Sequence, residues 1–510
     1  MKMQKGSPLL KNVAWNFLSQ VWFLVLPLAA SPYIVRHLGV DAFGVISLAS
    51  AVIGYLAILD LGMGTATIKY IADYYAERDF QSISKVIGTS IVIYTGLGLL
   101  GTLIILATAN LIVTRLLHVP VNLVSATLFV FYLSSLGFLV NMPLTVFNAI
   151  PNALQRFDIL VKQNLVLGTA TIAGQVVLLA MGYSLKALIS LNVSISAIGI
   201  LVFVIVSRRL LPGVSFRPKF DVPTAKRVLH FSSMKVISII SGHVVFQLDK
   251  LLVAAFLPLA SVTYYVVSLS LAQKMLTVIP NVTTAVFPAV SEFRADRERL
   301  NDLYLRVSKA VLLLVLPMAV ALIVFAEKVL AFWMGPEFAL HGAAALRLMA
   351  MAFLLASFAA VPDVFAGALG KPSIPAFFSA VGAALNLGLA LLLIPRYGIS
   401  GPALALLAGG IVVTPLFIHR VNRKLLGIRS LALLWASYAK PCLAAGLLWL
   451  FFTLSASWAK NLVQLGALVI VGSGLYVLFC LSFGVLDAVE KQMIVSHLRG
   501  IIQGRPKSAS

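Results

Sequence analysis

Runs of about twenty apolar residues recur from one end of the chain to the other, each long enough to cross the hydrocarbon core of a bilayer. They do not alternate apolar and polar positions with period two, so the spanning elements are helices and not barrel strands. We read fourteen spans, at roughly 12–34, 42–62, 86–113, 121–147, 159–181, 185–207, 231–257, 262–290, 305–326, 343–369, 373–395, 400–420, 431–455 and 460–486. The longest connections are 65–85, 208–230, 291–304 and 326–342, too short to hold a catalytic domain. The first is amphipathic, with Ile68, Ile71 and Tyr75 against Lys69, Asp73 and Glu77, and is expected in the membrane interface. The last carries Phe332, Trp333 and Phe338, expected as an outer-face aromatic anchor. The pattern predicts an all-α polytopic membrane protein.

Composition agrees. Of 510 residues 60% are hydrophobic and 11% charged, with a mean hydropathy of +1.01, against roughly 25% charged in soluble domains. The formal charge of +22 raises nucleic acid as a partner, but its distribution argues against one. About 28 of the 39 basic residues fall in alternate loops on one side, and about seven on the other. The positive-inside rule places the basic side, with both termini, in the cytoplasm. The excess then serves topology and attraction to anionic lipid head groups. Lys2, Lys5 and Lys11 precede the first apolar run as in a signal peptide. Asn12, Asn16, Ser19 and Gln20 interrupt that run, so it is expected to persist as the first helix. Cys442 and Cys480 have no metal-ligand spacing around them and read as small apolar residues. No metal site or cofactor is expected.

The chain repeats itself. His37-Leu38-Gly39, followed by Ile46-Ser47-Leu48, recurs as Phe256-Leu257-Pro258, followed by Val267-Ser268-Leu269, with a first-pair offset of 219 residues. Met142-Pro143 with Val146-Phe147 recurs as Val361-Pro362 with Val364-Phe365, the two prolines at the same offset, and Met181-Gly182-Tyr183 parallels Tyr397-Gly398-Ile399 at 216. Six spans per copy give two halves of like orientation, an arrangement found in transporters. The expected organisation is an N-terminal six-helix lobe (1–210), a cytoplasmic linker (211–230) and a C-terminal six-helix lobe (231–425). Two additional helices (426–490) and a cytoplasmic tail (491–510) follow.

Four charges stand in two consecutive spans: Lys235, Asp249 and Lys250 in the seventh, Lys274 in the eighth. A charge at the bilayer centre costs at least ~2.5–3.5 kcal/mol on insertion scales, so these face something other than lipid. Lys235, Ser238, Gly242 and Asp249 share one helical face, as do Ser270, Lys274, Thr277, Asn281 and Thr284. The other copy of the repeat supplies Asn12, Asn16 and Ser19/Gln20, neutral where its partner is charged. One reading is a water-filled cavity, cationic on its C-half side, that attracts an anion. Lysine suits a diphosphate that must be released, because it lacks the bidentate grip of arginine. The alternative is an ion pair between Asp249 and a lysine, with Lys235 and Lys250 snorkelling from helix ends. Lys274 stands about a dozen residues from either end of its span and is expected in the cavity or in a buried pair.

Asp249, Asp60 and Asp363 are candidates for a coupling proton or cation, the last two being equally well placed as solvated caps. Arg36 and His37 end the first span, at a cavity mouth or among head groups. Pro27, Pro143, Pro280, Pro288, Pro317, Pro362 and Pro415 lie in or near spans, where proline kinks a helix.

Five segments resemble the polysaccharide transporter family of the multidrug/oligosaccharidyl-lipid/polysaccharide flippase superfamily, the Wzx-type flippases. They are Leu38-Gly39-Val40-Asp41-Ala42-Phe43-Gly44, Asn152-Ala153-Leu154-Gln155-Arg156-Phe157-Asp158, Leu248-Asp249-Lys250-Leu251-Leu252, Phe287-Pro288-Ala289-Val290-Ser291-Glu292, and the run from Leu393 to Leu404. The resemblance implies about fourteen helices, with two parallel six-helix lobes in a V and two C-terminal helices. It implies a flippase that carries an undecaprenyl-diphosphate-linked oligosaccharide across the bacterial inner membrane, for O-antigen or exopolysaccharide synthesis. Alternating access around a cationic cavity is also implied, as are a polysaccharide polymerase and export machinery as partners. Substrate contacts are expected from Lys274, Lys250, Lys235, Asn281, Asn16, Gln20 and Arg36; of these only Lys250, with Asp249, lies in a recognisable motif. The rival is a cation-coupled drug or metabolite antiporter on the same fold, which would favour an acidic or aromatic cavity.

Overall fold

The computed structural model describes residues 7–60, 62–117, 119–233, 247–283, 286–428 and 434–485. Every described regular element is helical. In chain order these are α1 (Ser7–Leu38), α2 (Val40–Leu56), α3 (Met63–Ala76), α4 (Phe80–Leu111), α5 (Val124–Ala153), α6 (Phe157–Ala180), α7 (Leu185–Leu210), α8 (Val222–Ser233) and α9 (Asp249–Phe256). There follow α10 (Leu259–Gln273), α11 (Ile279–Thr283), α12 (Val286–Glu292), α13 (Arg297–Trp333), α14 (Pro336–Ala368), α15 (Ser373–Tyr397), α16 (Ser400–Val421), α17 (Ala439–Ser455) and α18 (Leu462–Ser482). Local chemistry sets several starts. The side chains of Asp79, Asp296 and Asn461 accept from the backbone N–H groups of Ser82, Arg299 and Gln464, capping α4, α13 and α18.

Among the described residues, 12 helices are long and apolar enough to cross a membrane, and each overlies one of the fourteen expected spans. The expected first span is represented by the shorter apolar helix Leu24–Leu38. About half of the expected seventh, residues 234–246, lies outside the described residues.

The chain forms two units. One comprises Asn12–Val266 with Ile394–Ile399. Its core joins Ile71, Ile83, Ile87, Tyr94, Val146 and Phe203, from α3, α4, α5 and α7. The other holds Val267–Leu393 and the described part of Ser400–Ser510. Its core gathers Val311, Val315, Ala350, Phe365, Phe417 and Phe452. There Tyr304 Oη donates to Asn422 Oδ1 at 2.7 Å, both residues fully buried.

Helices replace two of the expected loops. The segment 65–85 is mostly α3, which packs on α4, α5 and α8 and buries Met63, Ala66, Thr67 and Ile71, while Tyr75 is exposed. Its amphipathic face is therefore set against other helices. The segment 326–342 contracts to a turn at Met334 and Gly335 between α13 and α14. Gly335 has φ +121° and Pro336 opens the next helix, where its missing N–H is harmless. Phe338 is buried in the core and is not an interfacial anchor.

The stretch expected as a linker is docked in the first unit. Ser215 N–H donates to Ser84 Oγ, Thr89 Oγ1 donates to the Lys219 carbonyl, and Asp221 N–H donates to Thr89 Oγ1. Gly88 permits this approach: a Cβ there would lie 2.8 Å from the Arg217 carbonyl oxygen.

Candidate functional site

The eighth span is not one continuous helix. Pro280 has no N–H to give the carbonyl of Leu276, and its ring crowds that carbonyl. The turn before it tightens into a 3₁₀ stretch, Lys274–Val278, between α10 and α11. Lys274 therefore opens an irregular turn inside a membrane span, and the expectation that it lies mid-helix is corrected to that extent. Its carbonyl accepts from Thr277 Oγ1 at 2.7 Å.

The described part of the predicted stripe keeps to one side of this broken span, Thr284 lying outside the described residues. Ser270 and Lys274 are half-buried, and Thr277 and Asn281 are exposed. Ala272, Met275 and Thr283 form the opposite, buried side. The polar face is thus turned away from the core of its unit, with a cation at the break.

Asp249 has a different environment. It opens α9 in the first unit, 4% exposed, and Tyr265 Oη on α10 donates to its Oδ2 at 3.0 Å. Lys250 is half-buried and donates to Gln247 Oε1 at 3.0 Å. The Gln247 amide lies against Gly54 on α2, where a Cβ would come within 2.9 Å of it. The Asp249-Lys250 motif is thereby held against α2 and α10.

Asp60 lies deeper than a solvated cap. It ends a 3₁₀ turn, Ala57–Asp60, and accepts a hydrogen bond from Tyr94, which is fully buried in α4. Gly64 and Thr145 on α3 and α5 border the pair. Asp363, by contrast, is exposed on α14. Arg36 is exposed at the end of α1, beside His37, whose ring stacks on Tyr33 at 3.9 Å. Asn16 and Gln20 lie on α1 but their side chains are outside the described residues, as is Lys235 entirely.

The structure therefore brings Asp249 and Lys250 together, sets Asp60 with Tyr94 elsewhere in the same unit, and places Lys274 and Asn281 on one face in the other. Sequence reasoning missed Tyr265, Tyr94 and Gln247. The two tyrosines stand in apolar runs and read as core; only the position of Tyr265, across the Pro258 turn from Asp249, hints at its role.

A family model described as "Polysaccharide biosynthesis protein" matches residues 33–340. The chain is 24% identical over 414 residues to the putative O-antigen transporter of Shigella flexneri, covering 78% of this chain and 94% of that protein. It is 25% identical over 209 residues to the probable low-salt glycan biosynthesis flippase Agl15 of Haloferax volcanii, covering 40% and 43%. Among solved structures it resembles the lipid II flippase MurJ in an inward closed conformation, with a TM-score of 0.70 at 14% identity over 92% of this chain and 98% of that one. An inward-facing multidrug resistance transporter of the MATE family gives 0.66 at 15% identity, over 78% and 94%.

Proposed function

We propose that this chain, which belongs to the polysaccharide biosynthesis protein family, flips a polyprenyl-diphosphate-linked oligosaccharide across the bacterial inner membrane for surface polysaccharide synthesis. It is a multi-pass membrane transporter and not an enzyme. Its substrate comes from the glycan-lipid class, in keeping with relatives named as an O-antigen transporter and a glycan flippase.

The observation that carries the finer reading is Lys274. A cation at a break in a membrane span, on a polar face turned from the core, has a role only if something polar or anionic meets it. A diphosphate supplies that charge, and the hydroxyl and amide of Thr277 and Asn281 suit the first sugars. Lysine holds the diphosphate as a point charge and lets it leave. Proline-broken helices supply the hinges that alternating access requires. Asp249 and Asp60, each held by a buried tyrosine, are the proposed sites for a coupling ion, with Asp363 as an exposed third. Both termini are assigned to the cytoplasm by the basic loops.

The test is reconstitution in proteoliposomes with a fluorescent polyprenyl-diphosphate oligosaccharide in one leaflet. Protein-dependent transfer, altered by an imposed proton or sodium gradient, is the expected result. Transport of cationic drugs in place of the glycan lipid would replace this reading with antiport on the same fold.

A further inference from the structure

The segment between α7 and α8 runs beside α4 and leaves apolar side chains bare. Val214 and Val228 pack into the core of the first unit. Phe220 and Val222 are each 53% exposed, and Leu229 is 42% exposed. Val222 and Leu229 stand seven residues apart and so share a face of α8, while Ala225, Val228 and Ser232 form its buried face. α8 therefore has one edge docked on α3 and α4 and a second, apolar edge that is left exposed.

The depth of this edge follows from its anchors. The expected third span begins at residue 86, and Thr89 stands three residues inside it. Thr89 Oγ1 bonds the Lys219 carbonyl at 3.3 Å and the Asp221 N–H at 3.1 Å, on either side of Phe220. Toward the far end of α8, Tyr70 Oη on α3 donates to the Arg227 carbonyl at 3.4 Å, and Lys69 Nζ lies 4.6 Å from the centre of the Phe231 ring. Tyr70 follows Thr67 by less than one turn, and the Thr67 hydroxyl is 3.3 Å from that of Ser90. Both ends of α8 are thus tied near the level at which the apolar run of α4 begins, where head groups give way to acyl chains.

The charge around this edge is of one sign. From residue 211 to 233 the charged residues are Arg217, Lys219, Asp221, Lys226 and Arg227. Asp221 Oδ2 accepts from the N–H and the hydroxyl of Thr224, at 3.0 and 2.5 Å, and the cations that act on it are Lys85 and Arg227. Arg227 also donates to Tyr74 Oη at 3.2 Å. Arg217, Lys219 and Lys226 are exposed, and their side chains make no hydrogen bond or ion pair among the described residues. The neighbouring stretch 63–89 is balanced, with Lys69, Arg78 and Lys85 against Asp73, Glu77 and Asp79.

We propose that the segment from Arg217 to Leu229 is a membrane-surface anchor for anionic lipid. Phe220, Val222 and Leu229 enter the boundary between head groups and acyl chains, and Arg217, Lys219 and Lys226 reach the phosphates. An apolar edge at this depth, flanked by unpaired cations, fits a lipid surface: the stems of lysine and arginine lie along hydrocarbon while their charges stay among head groups. In the orientation proposed above this is the cytoplasmic leaflet, whose anionic lipids attract basic segments. α8 leads in sequence into the expected seventh span. Lipid bound here therefore holds the connection between the two repeat copies at the membrane.

The test uses the full chain with Cys442→Ala and Cys480→Ala, carrying a fluorophore on Phe220→Cys or Leu229→Cys. Both labelled positions are exposed, so the core stays intact. The protein is reconstituted in phosphatidylcholine vesicles that contain acyl-brominated phosphatidylglycerol or an equal amount of acyl-brominated phosphatidylcholine. Bromine in the hydrocarbon is expected to quench both labels, and iodide in the water to reach neither. Brominated phosphatidylglycerol should quench more strongly than brominated phosphatidylcholine, and Lys219→Gln combined with Lys226→Gln should abolish that preference. Labels reached by iodide and not by brominated lipid would reveal a face turned to water, as a protein-docking surface is, and would overturn the proposal. Equal quenching by the two lipids, or a preference that survives the double replacement, would overturn the selection of anionic head groups. The readout is depth and lipid selection, so it stands or falls separately from glycan-lipid transport.

Discussion

Thr263 Oγ1 donates a 2.7 Å hydrogen bond to the Val40 carbonyl, and in the register of the repeat this contact has a mirror. With an offset of 219, Leu259 is the counterpart of Val40 and Thr263 the counterpart of Gly44. Gly44 stands against the Leu259 carbonyl, where a Cβ would come within 2.9 Å of the oxygen. The starts of α2 and α10 thus meet through equivalent positions, each position 44/263 against the carbonyl of position 259/40. Such reciprocity is what a local two-fold relation between repeat copies produces.

A side chain at position 44 therefore forces the crossing apart. Gly44→Val is expected to destabilise the protein by about 1–3 kcal/mol, the range for overpacking. Thr263→Val, which only removes the hydrogen bond, should cost about 1 kcal/mol. Because both act at one crossing, the double variant should lose less than the sum in thermal unfolding of the purified protein.

Tyr265→Phe probes the buried carboxylate. Removing the hydroxyl takes a donor from Asp249, and an under-satisfied buried acceptor costs about 1–3 kcal/mol. Unfolding should shift accordingly. Asp249→Asn combined with Tyr265→Phe should be milder than Tyr265→Phe alone, because a neutral amide tolerates loss of the donor better than a carboxylate does. A Tyr265→Phe protein as stable as the wild type would show that the contact contributes nothing.

The helices were legible because membrane burial demands long apolar runs, and residues such as Val311–Leu316 leave no other reading. What hydropathy does not encode is where a helix continues past the apolar run, as α13 does to Trp333, or where a second helix replaces a loop, as α3 does. The proline rule locates the break at Lys274, since Pro280 was visible in the sequence; the tightened turn it forces lies within the six residues before it. Tyr94 and Tyr265 were illegible because a tyrosine in an apolar run looks like any other core aromatic. Its hydroxyl partner is set by packing between helices, which no spacing within one helix records.

Lys328, near the end of α13, caps backbone with its ammonium. It donates to the carbonyls of Ala456 at 2.5 Å and Ala459 at 2.9 Å, at the end of α17 where carbonyls lack helical partners. Lys328→Met removes this donor from both carbonyls, leaving Ala456 only the Ala459 N–H, and should weaken the attachment of α17 to α13. Protection of the α17 backbone against hydrogen exchange should fall, with glycan export kept, because this contact lies away from the polar stripe.

Lys274 and Pro280 give the sharpest test of the proposed path, because their replacements should lower export without lowering stability. Pro280→Ala restores the N–H that a continuous α-helix would direct to the Leu276 carbonyl, which now accepts from the Ile279 N–H, and removes a residue that costs about 3 kcal/mol in a helix interior. The span should become a continuous helix and the protein more heat-stable, while export falls as the break that presents Lys274 is lost. Lys274→Ala should abolish export of the surface glycan in cells lacking the native copy, at normal membrane levels, with unfolding little changed because the side chain is only half-buried. Lys274→Arg keeps the charge but adds a bidentate grip on phosphate, so transport should be slowed at release and not at binding. Full complementation by Lys274→Ala would remove the site. Export unchanged in Pro280→Ala would separate the cation from the break that now presents it.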